Sequence, residues 1–140
     1  MSTKKNAAKT AVEAAALPTV GQIQVLACRL MEDCLVRAGE HFLGSGNWPE
    51  DQRDSINAAE LALDSVKWLA ARLPLDFDEF TYLHCRIQST ISLAAAAFPD
   101  KNTPTWRWLR SAESGFTDAL FAMEIAEQAE GQASKNGGAA

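Results

Sequence analysis

At 140 residues and 15.2 kDa, with 47% hydrophobic and 22% charged residues, the chain has the size of one globular domain that buries roughly two-thirds of its unfolded surface. A formal charge of -5 opposes a nucleic-acid binder, because the phosphate backbone rewards a basic face, and no run approaches the ~18 to 20 apolar residues of a membrane span. Cys28, Cys34 and Cys85 are an odd number without CxxC spacing, so neither a disulfide framework nor a zinc ribbon is suggested and a reducing, cytoplasmic setting is the simplest reading.

Residues 1–18 are rich in lysine and alanine, carry no wide apolar stripe, and are expected to form a flexible or partly helical arm around 7–16. Glu13 interrupts the only candidate for the apolar core of an export signal, so export is not expected. Pro18 closes this segment. Thr19 then stands three residues before Gln22, the spacing of a capping box, and opens a periodic run that predicts a helix over 20–43.

At about 100° per residue, Ile23, Ala27, Leu30, Met31, Cys34, Ala38 and His41 fall on one arc of this helix. Gly44-Ser45-Gly46 ends it. Asn47 caps a second helix over 48–73, with Pro49 in its first turn and a core arc of Ile56, Ala59, Ala62, Leu63, Val66, Leu69, Ala70 and Leu73. Asp76 and Glu79 repeat the cap spacing and open a third helix over 77–98, with Phe80, Leu83, His84, Ile87, Ile91, Ala94 and Phe98 as its stripe. Thr103 and Pro104 open the fourth, over 104–129, and the tail 131–140 is expected to be disordered.

Four helices of similar length joined by short loops predict an all-α, antiparallel up-down four-helix bundle occupying residues 19–130 as a single domain. Alanines on the core arcs let the axes approach, while Leu, Ile, Phe and Trp fill the space between them.

Residues that could carry chemistry point mostly elsewhere. In an up-down bundle His41 lies about 30 Å along its helix and His84 only about 10 Å along the third, from the same end, at roughly 1.5 Å per residue. The two cannot share a metal. Cys28 is level with His84 and Cys85, which makes a small-molecule or metal site near those three the alternative reading of the chain. It lacks a Glu-x-x-His pair and a fourth ligand, so no metal site and no cofactor is expected. There is no nucleophile elbow, P-loop or dinucleotide turn, since Gly44-Ser45-Gly46 follows a helix rather than a strand, and no enzyme activity is expected.

The segment Trp106-Arg107-Trp108-Leu109-Arg110 resembles an aromatic-basic strip for single-stranded nucleic acid. With Leu109 pointing inward and the tryptophans flanking the core arc, it reads instead as the entry of a bundle helix. The more informative residues lie off the core arcs. Leu61 and Trp68 project together beside Asn57, Asp64 and Arg72; Tyr82 and Leu93 leave the third stripe; Phe121 and Ile125 continue the solvent line of the fourth helix. Aligned large apolar residues mark interaction sites. The expected function is therefore that of a non-enzymatic adaptor or regulatory protein that binds a protein partner or itself, as a two-fold homodimer, with no nucleic-acid or membrane partner. Docking of the alanine-rich N-terminal segment as a fifth helix is the competing explanation of these strips.

Overall fold

The computed structural model describes residues 17–46 and 50–138, with side chains up to 133. Four helices follow in order: α1 Val20–Gly44, α2 Glu50–Ala70, α3 Phe77–Ala97 and α4 Pro104–Gly138. Consecutive helices pack as neighbours, and α4 closes the ring on α1 through the broadest of the four interfaces. This is the antiparallel bundle that the short loops require.

The expected start signals operate at three helices. Thr19 Oγ1 accepts from the Gln22 N–H at 3.2 Å while Gln22 Oε1 accepts from the Thr19 N–H at 3.0 Å, a complete capping box. Asp76 Oδ1 accepts from the Glu79 N–H at 2.8 Å, and Thr103 Oγ1 from the Trp106 N–H at 3.3 Å. Each satisfies a donor that the first helical turn leaves free. The cap expected at Asn47, Pro49 behind it and residues 1–16 of the arm lie outside the described residues. Gly46, at φ 66°, takes the left-handed conformation that ends α1 without a Cβ penalty.

Every helix contributes to the core. Met31 from α1, Val66 and Leu69 from α2, Phe80 and Ile91 from α3, and Leu109, Phe116 and Met123 from α4 are fully buried, each side chain worth about 1.5–3 kcal/mol of transfer from water. The α1/α4 seam follows one antiparallel heptad register. The Arg37 guanidinium lies 4.9 Å from the centre of the Trp108 ring, seven residues on the Leu30 side chain meets the backbone of Gly115, and a further seven on Ile23 lines one hollow with Ala122.

Four expectations need correction. On α1, Leu30 is 43% exposed and His41 is also on the surface, while Gln24, Cys28, Leu35 and Phe42 are buried in their place. The true stripe is rotated because a polar residue, Gln24, belongs to it. Its Nε2 donates to the Leu75 carbonyl at 2.9 Å and its Oε1 accepts from the Leu75 N–H at 3.2 Å, which offsets the cost of burying an amide.

The second helix stops at Ala70 rather than at residue 73. Its last turn tightens, with the Arg72 N–H on the Leu69 carbonyl, and Pro74 disfavours a helical conformation at Leu73. At the other end of the chain α4 does not give way to disorder at Gly131 but continues to Gly138. A helix already nucleated adds further residues without a new nucleation cost. Glu130, accepting from the Val20 N–H at 3.0 Å, also ties this end to the start of α1.

Candidate functional site

The α2 sequence places an apolar or charged residue on its outer line every three to four positions: Leu61, Asp64, Trp68, then Arg72 just beyond the helix. On α3 the corresponding line is Glu79, Tyr82, Arg86 and Leu93. Between these antiparallel neighbours lies a groove of about 460 Å³, whose walls include Leu61, Asp64 and Trp68 from the α2 line and, from α3, Arg86 of its outer line together with Leu83 and Thr90.

All six residues singled out from the sequence are exposed, from 49% for Trp68 to 69% for Leu93. The fold brings four of them together. Leu61 and Trp68 on α2 stand on the same side of the bundle as Tyr82 and Leu93 on α3, while Phe121 and Ile125 form a separate strip on α4. Ile125 borders a second hollow, of about 330 Å³, beside Leu17, Pro18 and Ile23 at the start of α1.

Two arginines contribute to the α2/α3 face: Arg72, which the helical period sets beside Leu61 and Trp68, and Arg86, which it does not single out. The Arg72 guanidinium lies 3.9 Å from the centre of the Trp68 ring, and Arg86 lies 5.8 Å from that of Tyr82, with its Nη1 donating to the Tyr82 hydroxyl at 3.3 Å. Their i+4 spacing from an exposed aromatic is the signal that identifies them. Among the described residues Asp64, Arg72, Glu79 and Arg86 form no ion pair; the pairs present are Arg37–Asp33 and Arg110–Glu113.

A further apolar surface also escaped the sequence reading. Val25 and Leu26 on α1 border a hollow of about 650 Å³ with Leu73 and Pro74. Leu26 lies well away from Met31 in angle, so the helical period alone reveals its exposure.

The tryptophans and arginines at the start of α4 are absorbed by the bundle. Trp106 and Trp108 are half-buried, Arg110 lies 5.4 Å from the centre of the Trp106 ring and pairs with Glu113 at 2.8 Å, and Arg107 donates to the Asn102 carbonyl.

Cys28, His84 and Cys85 do not converge. Cys28 and His84 are buried, whereas Cys85, one residue and about 100° further round α3, is exposed. Among the described residues, no group of three or more His, Cys, Asp and Glu could hold a metal ion. Burial pushes the Cys28 thiol up to about 11, with Glu32 adding to the effect, and raises Cys34 as well, with Asp33 adding and Arg37 opposing. Both stay protonated near neutrality and are poor nucleophiles.

His84 is fully buried against Phe80 and Phe116, with no hydrogen-bond partner at either ring nitrogen. Desolvation holds its pKa down at about 3, so it is a neutral core residue at physiological pH.

No helix among the described residues is long and apolar enough to cross a membrane. Comparison with protein-family models, with curated proteins and with solved structures finds no match for the chain. The class that the fold defines is the antiparallel four-helix bundle.

Proposed function

We propose that the chain is a non-enzymatic helical adaptor or regulatory module that acts through protein–protein contacts in the cytoplasm, self-associating as a homodimer. The observation that carries this reading is the α2/α3 face. Leu61 and Trp68 are exposed on the α2 wall of one groove, Arg86 lines its α3 wall, and Tyr82 and Leu93 are exposed on the outer line of the same α3 helix. Trp, Tyr and Arg are the residue types that dominate the energetics of protein interfaces, and Arg72 and Arg86 are each already stacked on an aromatic ring. A cluster of this kind is costly to leave in water, whereas scattered single apolar residues are not.

The supporting test is a comparison of Trp68→Glu and Leu93→Glu with the parent chain by size-exclusion chromatography with light scattering. Both substitutions fall on exposed positions, so helicity is retained while the assembled mass drops to that of one chain. An unchanged assembled mass in both variants contradicts the assignment of this face.

A further inference from the structure

We infer that the occupant of the α2/α3 face is a second copy of this chain, related by a two-fold axis that runs along the groove parallel to the helices. The inference rests on the interaction reading above and specifies its partner and register. Rotation about such an axis keeps every residue at its own height and sets α2 of one copy antiparallel against α3 of the other. Residues that flank the groove at the same height in one chain therefore meet across the dimer.

Along α2 the line reads Leu61, Asp64, Trp68, Arg72; along α3, taken in the opposite direction, it reads Leu93, Arg86, Tyr82, Glu79. The order is apolar, acid, aromatic, base on one side and apolar, base, aromatic, acid on the other. Placed together they match Asp64 with Arg86, Trp68 with Tyr82 and Arg72 with Glu79, and the two-fold provides each match twice; Leu93, seven residues from Arg86 against three from Asp64 to Leu61, lies about 6 Å further along than Leu61. Among the described residues none of the four charged groups makes an ion pair, while Arg72 lies against the Trp68 ring and Arg86 against Tyr82. The alternative two-fold, perpendicular to the helices, sets α2 against α2 and α3 against α3. With its axis level with Trp68 and Tyr82 it inverts height and sets Asp64 against Arg72 and Glu79 against Arg86, so exchanging Asp64 with Arg86 restores association only in the first register.

The α4 strip fails the same comparison. Phe121 and Ile125 are interleaved with and followed by the exposed Glu124, Glu127 and Glu130 on that helix. Two copies joined there bring carboxylates together, and like charges across an interface oppose association. The α2/α3 face is the apolar surface with charges of both signs in a self-complementary order.

The register is tested by sedimentation velocity on the full chain at a series of concentrations and two ionic strengths. Asp64→Arg and Arg86→Asp each raise the dimer dissociation constant about tenfold or more, and the double variant returns it close to the parent value. Arg72→Glu and Glu79→Arg, alone and combined, provide a second, independent exchange at the other end of the groove, and circular dichroism confirms that each variant is folded. A dimer that Trp68→Glu dissociates, but that neither charge exchange weakens and restores, overturns this register and leaves the interaction face standing. A parent chain that is monomeric throughout, or one that only Phe121→Glu dissociates, overturns the reading of the face and the register together.

Discussion

Gln24 and Leu75 are joined by two hydrogen bonds across 51 residues of sequence, and Gln24 is fully buried where it makes them. The amide of α1 thus fixes the loop between α2 and α3 to the first helix and satisfies both backbone groups of Leu75. Gln24→Ala leaves those groups without partners in a closed environment and lowers stability by about 2–4 kcal/mol, the sum of the orphaned groups and lost packing. Gln24→Glu keeps the acceptor but sets a carboxylate against the Leu75 carbonyl, and is at least as damaging near neutral pH. Urea denaturation monitored by circular dichroism measures both; midpoints equal to the parent contradict this role.

The pH dependence of stability follows from His84. Its folded-state pKa, about 3, lies below the ordinary value of 6.5, so the unfolded chain binds the extra proton between these values. Its contribution is fully present above pH 6.5 and is lost progressively as the pH falls toward 3, amounting to about 5 kcal/mol over the whole window. His84→Leu removes the titrating group and two unsatisfied nitrogens while retaining an apolar filling among Phe80 and Phe116. The variant is therefore at least as stable as the parent at pH 7, and its advantage grows on acidification. Parallel stability curves for the two proteins from pH 7 to 4 contradict the assignment.

Gly115 and Leu30 are in close contact on the α1/α4 seam, so that a methyl group at Gly115 runs into the Leu30 side chain. Gly115→Ala gains about 0.5–1 kcal/mol in helix propensity but displaces the tip of the half-exposed Leu30 side chain toward solvent, and the net gain is smaller than the propensity alone. In a Leu30→Ala background the obstruction is gone and the same substitution delivers the full gain. A double-mutant cycle reads the coupling directly, and additive effects exclude it.

Thiol chemistry separates the three cysteines. Cys85 is exposed, whereas Cys28 and Cys34 are buried and held as thiols. A folded sample treated with a disulfide reagent at pH 8 releases one equivalent promptly, and the remaining two only after denaturant is added. Rapid release of all three equivalents contradicts the α1 core arrangement.

Much of this architecture is legible in the residues themselves. Thr19, Asp76 and Thr103 announce helix starts through local hydrogen bonds, which depend on spacing alone. Leu61, Trp68, Tyr82, Leu93, Phe121 and Ile125 declare their exposure through the helical period. The position of Gln24 is not legible, because its partner is a loop backbone 51 residues away and nothing local distinguishes it from a surface glutamine. Leu30 misleads for the complementary reason: an apolar residue at the edge of the stripe was assigned to the core, whereas it packs on Gly115 with part of its surface in water. The joining of the α2 and α3 strips into one face, and their separation from the α4 strip, depends on which helices are neighbours, a tertiary property.

In the proposed assembly Trp68 lies at the contact between two copies. Sedimentation of the parent chain and Trp68→Glu over a common dilution series decides it. The parent is expected to move from twice the chain mass to a single chain on dilution, and Trp68→Glu to sediment as a folded monomer throughout. A parent that remains a 15.2 kDa species at every concentration, or a Trp68→Glu variant that dimerises as the parent does, contradicts it.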